Sequence, residues 1–111
     1  LLAGGVAVPL NPMKRWEELD YEINCGDLCL IFHDGTFMER EPALGAAYDS
    51  ILRPLTVYQA CESAVEVPAL YDSERLAVIM FTSGTTARCK GVMLTEKNLM
   101  APIKAFTGVV E

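Results

Sequence analysis

The sequence predicts an α/β fold: a βαβ layer with a parallel sheet, ending in a strand–loop–strand–helix unit. Three observations carry this reading. The short apolar runs "GVAVPL", "LCLIF" and "LAVIMF" are separated by segments whose apolar residues recur every three or four positions. Two of those runs are apolar at every position, the pattern of parallel strands covered on both faces. Apolar residues make up 51% of the 111-residue chain and charged residues 22%, a balance that supports a folded core.

Taken in order, "LLAGG" reads as the end of a helix stopped by glycine. Residues 5–10, "GVAVPL", form a strand that Pro9 and Asn11-Pro12 turn away. Residues 15–25 form an amphipathic helix, with Trp16, Leu19 and Ile23 on the apolar stripe and Gly26 as its stop. Glu17, Glu18, Asp20 and Glu22 lie between them and read as a solvated face. Residues 28–32, "LCLIF", are the next strand, with Asp34-Gly35 as its turn. Strand, helix and strand in that order predict a βαβ unit with parallel strands.

Leu44, Ala47, Tyr48, Ile51 and Leu52 then mark a second amphipathic helix closed before Pro54, with a short strand at residues 55–58. Residues 76–81, "LAVIMF", read as a central strand buried on both faces. A loop follows, then a second short strand at residues 91–94. Thr95 is placed to cap a helix that starts at Glu96, and Pro102 predicts a kink or restart within it.

The net charge of −6 argues against a nucleic-acid binder. No apolar run reaches the length of a membrane span. Positive charge nevertheless gathers late in the chain: from Arg75 to Lys104 there are five basic residues and one acid, Glu96. Such a window suits an anion. His33 is the only histidine, and Cys25, Cys29, Cys61 and Cys89 lack the paired spacing of a zinc site, so neither a metal centre nor a Cys-His nucleophile is expected. Cys25, Cys29 and Cys61 read as small apolar packing, and free thiols point to the cytoplasm.

The chemistry concentrates in "FTSGTTARCKGVML". Glycine lets the backbone curl so that N–H groups converge on an oxygen-rich ligand, hydroxyls add rotatable donors, and lysine adds a point charge. Thr82, Ser83, Gly84, Thr85, Thr86, Lys90 and Gly91 supply all of these within ten positions. Gly84 and Lys90 have Walker A spacing, but Cys89 stands where its second glycine belongs and Gly91 where its hydroxyl residue belongs. A strand rather than a helix also follows, so Walker A is rejected.

The stretch F-T-S-G-T-T-A-R-C-K-G-V-M-L-T-E-K-N-L resembles instead the signature of the AMP-forming adenylating enzymes: acyl-CoA synthetases, aryl-CoA ligases, peptide-synthetase adenylation domains and luciferases. "SERLAVIM" is similar to the lead-in strand of that family, and "LLAGGVAVPLNPMKRWEELDYEIN" to its upstream segment. Residues 37–70 match weakly. Three positions depart from the pattern: Ala87 for glycine, Cys89 for proline and Glu96 for a common histidine.

The resemblance implies a partial flavodoxin-like layer, with residues 1–111 as a fragment of one N-terminal AMP-binding domain that lacks the C-terminal lid. It implies activation of a small-molecule carboxylic acid by ATP to an acyl-adenylate, followed by thioester formation on coenzyme A or a pantetheine thiol. Thr82, Ser83, Gly84, Thr85 and Thr86 would be the phosphate cradle, Lys90 its electrostatic support, and Gly91 the residue that allows the turn. Mg²⁺ would be held by residues outside this chain, as would adenine, ribose and the acid. No catalytic residue is assigned here. The alternatives are a non-catalytic relic or interaction module derived from that domain and, less supported, a stand-alone nucleotide-binding protein.

Overall fold

The computed structural model describes residues 4–55, 72–82 and 90–108. The chain divides into two compact units, Leu10–Val65 and Leu1–Pro9 with Glu66–Glu111.

In the first unit, helix α1 (Trp16–Cys25) is followed by strand β1 (Ile31–His33), helices α2 (Thr36–Arg40) and α3 (Pro42–Tyr48), and strand β2 (Leu52–Pro54). β1 and β2 pair in parallel, Ile31 opposite Leu52 and His33 opposite Pro54. A parallel βαβ arrangement is therefore present, but it is β1–α2–α3–β2 and not the expected unit of residues 5–10, 15–25 and 28–32. Residues 5–10 do not pair with β1; among the described residues they make one parallel bridge, Ala7 to Val78, both in the unit formed by Leu1–Pro9 with Glu66–Glu111. Pro9 has no N–H to extend that ladder.

Leu19, Ile23, Leu44 and Leu52 are buried together, with Trp16, Leu28, Ile31, Met38, Tyr48 and Ile51 packed around them. Burying each of these aliphatic side chains contributes roughly 1.5–3 kcal/mol. Ile51 and Leu52 were expected at the end of the second helix. They lie instead in the turn after α3 and in β2, where Ile51 donates its N–H to the Tyr48 carbonyl and accepts from Ile31 N–H. A core-facing strand and a helix stripe both require apolar residues there, so the helical period runs on past the true end.

α1 ends in a Schellman arrangement. Leu28 N–H reaches the Ile23 carbonyl at 3.1 Å and Asp27 N–H the Asn24 carbonyl at 3.3 Å. The left-handed residue is Asp27, at φ 48°, and not Gly26. Gly26 is required for space, because a Cβ there would lie 3.1 Å from the Glu22 carbonyl oxygen and 3.2 Å from a Leu28 methyl. This cap occupies Leu28, so the strand begins at Ile31 and not at residue 28. Asp27→Gly is expected to stabilise the protein by about 0.5–1 kcal/mol by relieving the left-handed conformation; a lower midpoint in urea unfolding would refute this.

The acidic run of α1 is not one solvated face. Glu22 is fully buried, and its Oε1 receives the Lys14 ammonium. Asp20 accepts the Tyr48 hydroxyl at 2.6 Å, and that hydroxyl accepts Asn24 Nδ2 at 2.7 Å. Burial, with the Asp20 carboxylate beside it, holds the Tyr48 phenol above its ordinary value. Cys25 and Cys29, expected as apolar packing, are free and exposed. Cys25 lies two residues beyond Ile23, off the buried stripe of α1. Cys61 lies outside the described residues, as do residues 56–58 of the expected short strand.

The second unit is a hairpin, β3 (Leu76–Thr82) and β4 (Lys90–Thr95), followed by helix α4 (Glu96–Thr107). β3 was expected to be buried on both faces; Ala77 is buried, but Met80 is 48% exposed. α4 begins as expected at a Thr95 cap, whose hydroxyl accepts Asn98 N–H at 3.3 Å while Asn98 Oδ1 accepts Thr95 N–H at 2.9 Å. Of the kink or restart expected at Pro102, a restart does not occur. α4 runs through it to Thr107, leaving the Asn98 carbonyl without its usual helical donor. Among the described residues, no helix is long and apolar enough to cross a membrane.

Candidate phosphate-binding hairpin

β3 and β4 are antiparallel, with Val78 opposite Leu94, Met80 opposite Val92, Phe81 opposite Gly91 and Thr82 opposite Lys90. Directly opposite residues share a face, so Thr82 and Lys90 project together from the end of the hairpin that carries the loop. The Thr82 hydroxyl reaches the Lys90 carbonyl at 3.4 Å, and both residues are exposed. Ser83, Gly84, Thr85 and Thr86 lie outside the described residues, together with Ala87, Arg88 and Cys89. Of the seven expected ligand-binding positions, the structure therefore describes Thr82, Lys90 and Gly91 and puts all three on the last two rungs of the ladder.

Gly91 lies within β4 and has no positive φ. What requires glycine there is the cross-strand neighbour: a Cβ would sit 3.1 Å from an Ile79 methyl and 3.4 Å from the Phe81 ring. The aromatic ring covers the bare glycine backbone of the facing strand.

The far end of the hairpin is tied to α4. Glu96 N–H donates to the Arg75 carbonyl and Lys97 N–H to the Ser73 carbonyl, both at 3.0 Å. The Arg75 guanidinium pairs with the Glu96 carboxylate, and Lys97 lies 3.5 Å from Glu74. Among the described residues, two cations of the basic window, Arg75 and Lys97, thus have acidic partners. The positive field expected from charge counting rests on fewer groups, with Lys90 at the loop end. The Arg75–Glu96 pair was missed because residues 21 positions apart leave no local pattern.

Among the described residues, no group of three His, Cys, Asp or Glu side chains gathers to hold a metal ion.

The hairpin and its surroundings have counterparts in known proteins. The sequence family described as AMP-binding enzyme matches residues 1–110. The mitochondrial malonate–CoA ligase of Mus musculus is 37% identical over 114 residues, covering 98% of this chain and 19% of the relative. The chain spans about a fifth of the length of the first curated relatives it matches. Among solved structures, apo MatB from Rhodopseudomonas palustris superposes with a TM-score of 0.73 at 31% identity, covering 96% of this chain and 23% of that one. A MatB chimera with ATP bound gives a TM-score of 0.78 at 30% identity, with the same coverage.

Proposed function

Because the chain belongs to the AMP-binding enzyme family, we propose that it supplies the phosphate-gripping hairpin of an AMP-forming acid–thiol ligase. The observation that carries this reading is the Thr-Ser-Gly-Thr-Thr run joining two strands whose last rung sets Thr82 opposite Lys90. Similarity to a CoA ligase and to an ATP-bound structure supports it.

In the proposed reaction a carboxylate oxygen attacks the α-phosphorus of ATP, and the bond to the bridging oxygen breaks as pyrophosphate leaves. The thiol of coenzyme A, or of a pantetheine arm, then attacks the acyl carbon and displaces AMP. Negative charge accumulates on the leaving pyrophosphate. Thr82, Ser83, Gly84, Thr85 and Thr86 would meet it with hydroxyl and backbone donors, and Lys90 with a full positive charge on the same face as Thr82. Gly91 would keep the second strand close under the Phe81 ring, holding Lys90 at the mouth. On this reading the 111 residues belong to one N-terminal AMP-binding domain, and the acid, adenine, ribose, Mg²⁺ and lid contacts come from elsewhere in the enzyme. The acceptor is proposed to be coenzyme A, after the mouse relative, and the location the cytoplasm, with a mitochondrial location the alternative that relative's name raises.

The second reading, a non-catalytic relic or interaction module, is favoured by Ala87 and Cys89, which depart from the signature inside the loop. ATP–pyrophosphate exchange separates the two. The 111-residue chain alone is expected to catalyse no exchange with malonate or with fatty, aryl or amino acids. The ligase that carries it is expected to show acid-dependent exchange with at least one. Exchange by the chain alone would overturn the division of labour proposed here, and a folded ligase inert to every acid would favour the relic.

A further inference from the structure

We propose that a bulge at Ala77 and the Arg75–Glu96 ion pair form a register lock for the β3–β4 hairpin, with Arg75 and Glu96 as positioning residues that keep Lys90 opposite Thr82. The functional consequence rests on the phosphate-gripping reading above; the lock itself does not.

The strands cannot set their own register by side-chain pattern. Val78, Met80, Val92 and Leu94 lie on one face of the hairpin, and Ile79, Phe81 and Met93 on the other. A one-residue slip exchanges the faces of a strand, which is prohibitive when one face is polar and the other apolar. Here it would exchange apolar for apolar. Burial does not discriminate either, since Met80 is 48% and Met93 69% exposed on opposite faces. The connection between Thr82 and Lys90 holds seven residues, too many to dictate register as a two-residue hairpin turn does. The fit of Gly91 under Phe81 favours the native register near the loop, and a second constraint lies at the other end.

That end carries the second constraint. Leu76 faces Thr95, yet Val78 faces Leu94, so Ala77 is one extra residue in β3. On the edge of β3 turned away from β4, Ala7 bridges Val78 across this position. Ala7 N–H donates to the Ala77 carbonyl at 2.9 Å, and Ile79 N–H donates to the Ala7 carbonyl at 3.0 Å. Just below, the Glu96 carboxylate holds the Arg75 guanidinium, with those side chains 14% and 31% exposed. Moving β4 by one residue would carry Glu96 about 3.4 Å along the ladder and part the pair. Without the bulge, the Leu76–Thr95 rung would propagate to place Cys89 opposite Thr82 and turn Lys90 to the other face. The Lys97–Glu74 pair is exposed on both sides and contributes little.

The test is cross-strand NOE spectroscopy on the isotope-labelled protein, paired with ATP kinetics in the ligase. Glu96→Gln keeps the size and shape of the side chain and removes only its charge; Arg75→Gln removes the partner. Each is expected to show a second set of NOEs linking Ile79 with Val92, beside the native set linking Ile79 with Met93. The exchanged pair Arg75→Glu with Glu96→Arg is expected to restore the single native set. In the ligase, each single variant is expected to raise KM for ATP about fivefold with little change in kcat, and the exchanged pair to recover it. A single native NOE set in both single variants overturns the lock, whatever happens to ATP. Failure of the exchanged pair to restore the register overturns it as well. A second register with unchanged KM for ATP leaves the lock standing and overturns the phosphate-gripping reading.

Discussion

Lys14→Met is expected to destabilise the protein by about 3–5 kcal/mol, the cost of leaving a buried carboxylate without its counter-charge. Glu22 is fully buried on the inner side of α1, between Leu19 and Ile23 in sequence, and the Lys14 ammonium meets its Oε1. Its Oε2 has no hydrogen-bond partner among the described residues. Methionine preserves most of the apolar stem of lysine, so the substitution tests the charge and not the packing. Two comparisons isolate the effect. Removing both charges, with Lys14→Met and Glu22→Leu together, is expected to recover most of the loss, because an apolar pair needs no compensation. Lys97→Met breaks an ion pair that is exposed on both sides and is expected to cost less than about 1 kcal/mol. Urea unfolding monitored by Trp16 fluorescence measures all three. A loss under about 1 kcal/mol for Lys14→Met would mean that Glu22 finds water or another partner once the lysine is gone.

That buried pair also shows where sequence reading stops. α1 was legible because Trp16, Leu19 and Ile23 recur at helical spacing and an acidic first turn precedes a glycine stop. Glu22 was misread because charge predicts exposure, and only the tertiary fold reveals the lysine eight residues earlier that makes its burial tolerable. β3, β4 and the Thr95 cap were legible for local reasons: a continuous apolar run, and a hydroxyl placed three residues before Asn98. The failures involve competition between local and distant demands. Residues 5–10 have strand composition, but pairing needs a neighbour, and Pro9 limits them to one bridge. Ile51 and Leu52 satisfy a helical period only because a core-facing strand asks for the same residue types. Gly26 and Gly91 were read as conformational residues, whereas the structure requires them for space under Leu28 and Phe81. Of the candidate site, the motif and its placement between two strands could be read directly. The rung that sets Thr82 against Lys90 could not, since it depends on a bulge at Ala77 that no local pattern marks.

The second large effect is expected at Lys90. On the proposed ligase reading, Lys90→Ala in the enzyme that carries this chain is expected to lower kcat/KM for ATP tenfold or more, with a smaller change in KM for the acid. The reasoning starts from the rung. Lys90 begins β4 directly opposite Thr82, the last residue of β3, so its Cα is fixed by the strand ladder and not by the loop. Lys90 is exposed, and the connection that precedes it carries the Ser-Gly-Thr-Thr run in sequence. A charge-assisted contact to phosphate is worth about 1.5–3 kcal/mol, and each 1.4 kcal/mol is a factor of ten. The cations nearest the other end do not substitute, because Arg75 and Lys97 are engaged with Glu96 and Glu74. Arginine offers the same charge in a planar fork on a longer stem, so Lys90→Arg should recover only part of the loss. Initial-rate kinetics with ATP and acid varied in turn decide the matter. A fall shared equally between the two substrates would point to general disruption of the hairpin. Unchanged kinetics for both would mean that phosphate is held without Lys90, and the hydroxyl run alone would then have to carry the site.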